Sequence, residues 1–105
     1  MLPYNDDRET IELFISCRNL KDLDVFSKSD PKVKVFYSFQ GKEVKLGETE
    51  FLKNNLNPTF KKTFLLEYIF EMRQNLRFEV WDNDTDSVDD LIGLIYHLIL
   101  YFIFE

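Results

Sequence analysis

The sequence predicts an all-β fold in which short antiparallel strands pack as a sandwich. Apolar and polar residues alternate in several short runs, which is the pattern of a strand with one buried face. Turn-forming residues separate these runs at intervals of about ten residues, a spacing typical of sandwiches. Aromatic residues make up 16% of the chain, with eleven Phe and five Tyr, and such side chains favour strands over helices.

The first half of the chain is expected to form three strands. Residues 11–17 form the first, because Ile11 and every second residue after it are apolar while the other face is mainly polar. Residues 19–30 are loop-like, and residues 33–39 alternate again as a second strand. A tight turn follows these residues and leads into a third strand at residues 43–51.

The second half is expected to contain two strands before its apolar end. Residues 54–58 are rich in Asn and Pro and should bend the chain. Residues 59–68 follow as a strand, and residues 69–74 are predicted to form a short helical turn. Residues 76–81 alternate once more as a strand, in which Trp81 is expected to be partly buried on the outer face.

The chain divides into three segments and holds a single domain. Residues 1–10 form a polar N-terminal segment without the features of a secretory signal. Residues 11–93 carry the alternating runs of the sandwich. Residues 94–105 form an atypical apolar C-terminal segment. The apolar run from Leu91 to Phe104, broken by Gly93 and His97, is too short for a membrane-spanning helix of roughly 20 residues. A chain of 105 residues is near the common size of one domain.

Composition argues against several function classes. The net charge of −6 does not suit nucleic acid, which needs a basic surface. We expect no enzyme, because His97, the only histidine, lies inside the apolar run. Cys17 falls on the apolar face of a strand and is expected to be a buried structural thiol. A lone cysteine forms no internal disulfide, so we expect a reducing, cytoplasmic setting.

Negative charge is concentrated in two short windows. Residues 22–30 carry a net charge of −2 and residues 82–90 carry −5, so the rest of the chain sums to +1. Carboxylates crowded into loops repel one another and destabilise the fold unless a cation joins them. Carboxylate oxygens are hard ligands, and Ca²⁺ takes about six to eight oxygens in a flexible shell. The two windows therefore predict a calcium site, with ordinary solvated turns as the alternative.

The second acidic window does not match an EF-hand loop. Such a loop needs Gly at its sixth position and a bidentate Glu at its twelfth. Counting from Asp82, these positions hold Ser87 and Gly93, and the flanking runs alternate like strands. A site shared between two loops is therefore favoured over an EF-hand.

Five short motifs resemble those of C2 domains, the calcium-dependent phospholipid-binding β-sandwiches, and most closely the first C2 domain of copines. The motifs are Leu20-Lys21-Asp22-Leu23-Asp24, Ser27-Lys28-Ser29-Asp30-Pro31, Leu56-Asn57-Pro58-Thr59-Phe60, Leu76-Arg77-Phe78-Glu79-Val80-Trp81-Asp82 and Asp90-Leu91-Ile92-Gly93. The resemblance implies an eight-strand-type, antiparallel Greek-key sandwich. It covers roughly residues 11–93.

The resemblance also implies a set of calcium ligands. The family's ligand aspartates are separated by six residues in one loop and by two and six residues in another. The aspartates that reproduce these separations are Asp24, Asp30, Asp82, Asp84 and Asp90. Additional oxygens are implied at the Leu23 and Asn83 carbonyls and at the Ser87 hydroxyl. Three other acidic residues, Asp22, Asp86 and Asp89, are expected to be solvated or to lie outside the direct ligand set.

The function implied by the resemblance is calcium-dependent binding to anionic phospholipid membranes. A cytoplasmic protein carrying this module would move to the membrane when calcium rises. In the two acidic loops, Val25, Phe26 and Val88 are candidates for apolar contact with the membrane, and Lys28 is a candidate for headgroup contact. For Phe26, packing beneath its own loop is the alternative.

The C-terminal apolar run departs from the family pattern. Relatives continue after the position of Gly93 with a strand, a polar loop and a final strand, whereas residues 94–105 lack alternation and turn residues. If this run takes the seventh strand position, the last strand is missing and a sheet edge is exposed. The run is compatible with a truncated or spliced end, a segment lying in a membrane, or a strand that pairs with another chain. The alternative function is therefore a calcium-independent protein-interaction module that uses this edge and tail.

Overall fold

The computed structural model describes residues 8–21, 30–83 and 90–99, with the backbone alone at residue 90 and at residues 94–99. Within these ranges the chain forms six β-strands and no helix. The strands are β1 (Arg8–Leu13), β2 (Pro31–Phe39), β3 (Lys42–Glu48), β4 (Phe64–Ile69), β5 (Gln74–Asp82) and β6 (Asp90–Ile99).

The six strands form two antiparallel sheets. One sheet contains β1 and β4, and the other has the order β3-β2-β5-β6. The central pair of the larger sheet, β2 and β5, runs in unbroken register from Pro31 opposite Asp82 to Phe39 opposite Gln74. The predicted all-β, antiparallel fold class is therefore confirmed.

The smaller sheet confirms the alternation predicted for residues 11–17 and corrects its length. Ile11, Leu13, Ile15 and Cys17 are half-buried, and the residues between them are exposed. Regular pairing of β1 with β4 ends at Leu13 opposite Phe64. Beyond a two-residue shift in register, an isolated bridge joins Ser16 to Thr59. One continuous strand was expected over residues 59–68. This expectation is wrong, because residues 61–63 interrupt the strand pairing.

The core lies between the two sheets and is built from the inner faces of their strands. Val33 and Val35 of β2 and Leu76 and Val80 of β5 are buried. Phe60, Phe64 and Leu66 close the core from the side of the smaller sheet. In each strand the buried residues are separated by two or four positions, because side chains of a strand point alternately to its two faces.

The short helical turn predicted for residues 69–74 is wrong. The segment contains a β-turn in which the Met72 N–H donates to the Ile69 carbonyl oxygen at 3.1 Å. Glu71, within the turn, has a φ of 63°. Gln74 already belongs to β5 and is fully buried. Its side chain ties the two sheets together, which a hydropathy pattern does not reveal.

The apolar run near the C-terminus forms an edge strand of the larger sheet. β6 pairs antiparallel with β5 from Asp90 opposite Asp82 to Ile99 opposite Gln74, with one irregularity beside Val80. Residues 94–99 therefore continue the strand that residues 90–93 begin, and residues 100–105 lie outside the described residues. Within the described chain, the smaller sheet has only two strands facing four.

Candidate functional site

Three acidic residues meet at one end of the larger sheet. β2 begins at Pro31, directly after Asp30, while β5 ends at Asp82 and β6 begins at Asp90. The register places Pro31 opposite Asp82 and Asp82 opposite Asp90. Neighbouring strands lie about 4.8 Å apart, so the backbone alone brings these positions onto one edge of the sheet. The two acidic windows, about fifty residues apart in sequence, thus become neighbours in space.

Asp82 connects the two acidic windows directly. It is only 4% exposed, and its Oδ1 accepts the Asp30 N–H at 2.9 Å. The Asn83 N–H in turn donates to the Asp30 carbonyl oxygen at 2.8 Å. These two hydrogen bonds fix the exit of β5 against the entry of β2. A buried carboxylate is costly without partners, and this site supplies one from the opposite loop.

Asp30 is held from a third direction. Its Oδ1 accepts the backbone N–H of Asn54 at 2.7 Å. Asn54 lies in the turn that follows β3 and has a φ of 52°, in the left-handed region where Asn is among the better tolerated residues. The carboxylate of Asp30 is therefore oriented by a loop for which the sequence predicted a bend and no role in the site.

The turn that follows β3 also contacts the residues just before the first acidic segment. The Asn57 Oδ1 accepts the Asn19 N–H at 2.8 Å, and the Leu56 carbonyl oxygen accepts the Leu20 N–H at 3.0 Å. These residues were missed as parts of the site. Their density of Asn was the available signal, because Asn side chains bond to backbone groups in turns.

Most of the predicted ligand and membrane-contact residues lie outside the described residues. These are Leu23, Asp24, Val25, Phe26, Lys28, Asp84, Ser87 and Val88. Asp30, Asp82 and Asn83 are described in full, and Asp90 by its backbone. The structure therefore brings together one aspartate of the first window and two of the second, and the remaining assignments stay predictions.

The described residues fit a site for a hard cation in part. Asp30 and Asp82 contribute carboxylate oxygens, and the register adds a third acidic position at Asp90. Such oxygens match the preference of Ca²⁺. Among the side chains that the structure describes, no group of three or more His, Cys, Asp or Glu is close enough to hold a metal.

The basic residues on the outer face of the larger sheet are engaged locally. The Lys34 Nζ lies 4.5 Å from the centroid of the Trp81 ring, whose Nε1–H donates to Glu79. Arg77 donates two hydrogen bonds to Glu43 at 3.0 and 2.8 Å and also pairs with Glu79. Trp81 is partly buried, as expected. This face is a network of mutually satisfied charges.

Cys17 was expected to be buried, and the structure shows it only partly buried. It is half-buried beside Ile15 and Val33, and burial raises the pKa of its thiol above the ordinary value, with Arg18 opposing the shift. The thiol therefore stays protonated near neutral pH, and the thiolate is the reactive form. His97 stands opposite Leu76 in the β6 ladder.

The fold and the acidic edge define a β-sandwich binding module, and comparison with known proteins identifies its family. The family model for the C2 domain matches residues 11–98. A solved structure of a C2 domain is 31% identical, with a TM-score of 0.64, and the alignment covers 88% of this chain and 74% of that one. This chain belongs to the C2 domain family.

The curated relatives point to one branch of that family. Copine-E of Dictyostelium discoideum is 47% identical over 90 residues, and Copine-B of the same organism is 43% identical over 95 residues. These matches cover 79% and 87% of this chain but only 16% and 18% of the relatives' lengths. The predicted resemblance to a copine C2 domain is confirmed.

The structural likeness extends to more distant C2-containing proteins. Human GIVD cytosolic phospholipase A2 superposes with a TM-score of 0.70 at 23% identity, over 91% of this chain and 14% of the other. At that identity the likeness concerns the fold alone. C2 domains are generally non-catalytic modules that bind phospholipid membranes and proteins. In the described part of the chain, no helix is long and apolar enough to span a bilayer.

Proposed function

We propose that this chain binds anionic phospholipid membranes in response to calcium and thereby brings a cytoplasmic protein to the membrane. The observation that carries the proposal is the register of β2, β5 and β6, which supports a shared site for Asp30, Asp82 and Asp90. C2 domains commonly bind Ca²⁺, and this chain carries aspartates at the matching separations.

Five aspartates would hold the ions, namely Asp24, Asp30, Asp82, Asp84 and Asp90. The Leu23 and Asn83 carbonyls and the Ser87 hydroxyl would add oxygens. Bound calcium supplies positive charge and open coordination positions that lipid phosphates can fill. The hydrogen bond from the Asp30 N–H to Asp82 supports this assignment, since it keeps the two windows together before any ion arrives.

Electrostatics provides the calcium switch. The two acidic windows together carry −7, whereas the whole chain carries −6. Without calcium this end of the sandwich repels an anionic membrane, and with calcium the repulsion is cancelled. Calcium and lipid then each raise the affinity for the other, because linkage between two binding sites is reciprocal. Lys28 would meet a headgroup, and Val25, Phe26 and Val88 would contact the apolar interface.

The test is co-sedimentation with phosphatidylserine liposomes in calcium and in chelator. The intact chain should pellet only in calcium, and Asp82→Asn combined with Asp84→Asn should abolish pelleting. The matched control is Asp86→Asn with Asp89→Asn, which makes the same charge change at residues not assigned as ligands. Equal loss in both double variants would mean that general charge, and not a defined site, controls binding. Undiminished pelleting of the first variant contradicts the proposal.

A second candidate function, calcium-independent binding of a protein, is favoured by an apolar cleft between the sheets. The cleft has a volume of about 290 Å³, and Phe14, Cys17, Val33, Phe78 and Val80 are among its lining residues. Phe14 is 74% exposed. Isolated exposed apolar residues are common, but one that borders an apolar cleft is a candidate contact.

Phe14→Lys tests protein binding by the cleft and leaves β6 intact. Deletion of the apolar C-terminal segment, residues 94–105, would be a less specific test. The deletion would remove more than half of β6 and its pairing with β5. If the cleft binds a second copy of this chain, the intact chain should self-associate in analytical ultracentrifugation and Phe14→Lys should not, while calcium-dependent pelleting is retained. A chain that is monomeric in both forms would remove the support for self-association through this cleft.

A further inference from the structure

The turn that follows β3 contacts both ends of the first acidic segment. We call residues 53–57 the brace loop. It lies between β3 and the Thr59 bridge, and its hydrogen bonds reach Asn19 and Leu20 on one side and Asp30 on the other. The first acidic segment, residues 22–30, follows Lys21 and ends at Asp30. Both of its attachment points are therefore held by the same five residues.

At the entry to the segment, the brace loop accepts two backbone N–H groups. The Asn57 Oδ1 accepts from Asn19 at 2.8 Å, and the Leu56 carbonyl oxygen accepts from Leu20 at 3.0 Å. Asn19 has a φ of 56°, so the chain turns sharply here. A side-chain acceptor that satisfies the amide of a left-handed residue stabilises that turn.

At the C-terminal end of the first acidic segment, the brace loop donates a hydrogen bond. The Asn54 N–H points to the Asp30 Oδ1 at 2.7 Å, and Asn54 itself has a left-handed φ of 52°. A hydrogen bond to an ionised acceptor is stronger than one between neutral groups. Asp30 is thereby oriented by a backbone group, which keeps its place whatever the side chain of Asn54 does.

The brace loop is itself anchored to the sandwich. Its Asn57 N–H donates to the Asn55 Oδ1 at 2.8 Å, which closes the turn. The following residue, Pro58, is fully buried, and its carbonyl oxygen accepts the Cys17 N–H at 2.9 Å. On the preceding side, the Leu52 N–H donates to the Pro31 carbonyl oxygen at 3.1 Å. The loop therefore has fixed supports that owe nothing to a bound ion.

We propose that the brace loop positions both ends of the first acidic segment for calcium binding, with Asn54 and Asn57 as positioning residues. This inference rests on the proposed calcium function. Asn57 holds the entry of the loop through its side chain, and Asn54 holds Asp30 through its backbone. With these contacts in place beforehand, Asp30 and the chain at Asn19 do not have to be repositioned when the ion binds, which raises calcium affinity.

The first experiment compares Asn57→Ala with Asn57→Asp, which keeps an acceptor oxygen at the same position. The readout is the calcium concentration at half-maximal liposome pelleting. Asn57→Ala should raise this midpoint about tenfold, in the range seen when residues that orient metal ligands are removed. The plateau at saturating calcium should be unchanged. Asn57→Asp should restore the midpoint to the wild-type value or below it, since its charge also attracts calcium.

The second experiment separates the backbone of Asn54 from its side chain. Asn54→Gly retains the N–H and allows the left-handed φ, so its midpoint should stay within about twofold of wild type. Asn54→Val disfavours that φ and should raise the midpoint about tenfold. An equal rise in both variants would show that the Asn54 side chain matters, and would overturn its role as a backbone positioning residue.

A measurement without calcium keeps this inference separate from the proposed function. In chelator, hydrogen exchange at the Asn19 and Leu20 amides should be slow in the intact chain and at least tenfold faster in Asn57→Ala. If the intact chain shows no calcium-dependent pelleting, the proposed function fails, whatever the exchange result. If it does pellet, but Asn57→Ala and Asn54→Val keep the wild-type midpoint and exchange, the brace loop has no positioning role.

Discussion

At the residue scale, Gln74 is a buried polar residue whose side chain connects the two sheets. It is fully buried, and its Nε2 donates to the Tyr37 Oη and to the Glu67 carbonyl oxygen, both at 2.7 Å. Its Oε1 accepts the Ile69 N–H at 2.9 Å. One amide group thus satisfies two backbone groups of β4 while it stands in β5, and so connects the two sheets.

Replacement of this residue is therefore expected to be costly. Gln74→Leu keeps the volume but leaves the Ile69 N–H and the Glu67 carbonyl without these partners, and should lower the free energy of unfolding by about 3 kcal/mol. Urea denaturation measures this change. The neighbouring substitution Asn75→Leu, at a half-buried position, is the control and should cost about 1 kcal/mol or less. A loss for Gln74→Leu no larger than for the control would contradict the role of the buried amide.

At the element scale, β3 is shaped by a bulge and a close approach to β4. The register of β2 and β3 shifts between Val35 and Phe36, and Gly47 stands opposite Val35 beside this irregularity. Gly47 has a φ of 152°, and a Cβ added there would lie 3.0 Å from the Phe64 Cε1. Glycine is thus required both by the backbone and by the packing of β4 over β3.

Gly41 and Gly93 allow the cost of backbone strain to be separated from the cost of crowding against Phe64. Gly47→Ala should lower the free energy of unfolding by about 2 kcal/mol, because strain at φ and crowding against Phe64 act together. Gly41→Ala, where φ is 78° but no atom lies within 4 Å, should cost about 1 kcal/mol. Gly93→Ala, with open space around it, should be nearly neutral. Thermal unfolding of the three variants checks this order, and equal effects would refute it.

At the scale of the whole molecule, charged residues are arranged differently at the acidic end of the larger sheet and on its outer face. The acidic end concentrates like charges, whereas the outer face pairs its charges. Glu48 illustrates the second arrangement, with its carboxylate 2.6 Å from Lys45 and 3.5 Å from Lys32. The hydrogen bond from Lys45 lowers the pKa of Glu48 below its ordinary value, with burial opposing the shift and Lys32 adding to it.

A lowered carboxyl pKa gives a definite pH dependence. The folded state binds the Glu48 proton less readily than the unfolded state does, so this contribution to stability is present above the ordinary value of 4.5. It is lost as the pH falls through the folded-state pKa. The urea midpoint of Glu48→Gln should therefore lie below wild type at pH 7, and the difference should disappear as the pH falls through the folded-state pKa of Glu48. A gap that persists at low pH would mean that the charge of Glu48 is not its cause.

The sequence by itself determined the β class, the faces of the main strands and the clustering of the acidic residues, since alternation and charge are local properties. The burial of Val33, Val35, Leu76 and Val80 followed from the two-residue period alone. Motif spacing was enough to identify the family, and the comparisons agree.

Only the tertiary structure decided which distant segments meet. The register that places Asp82 between Pro31 and Asp90, the reach of Asn54 to Asp30, and the bridge made by Gln74 all join residues with no local pattern in common. The β-turn at Ile69–Met72 and the break between Thr59 and Phe64 were missed for the same reason. Hydropathy reports which face of a strand is buried, whereas these features depend on hydrogen bonds that exist only once the sheets have assembled.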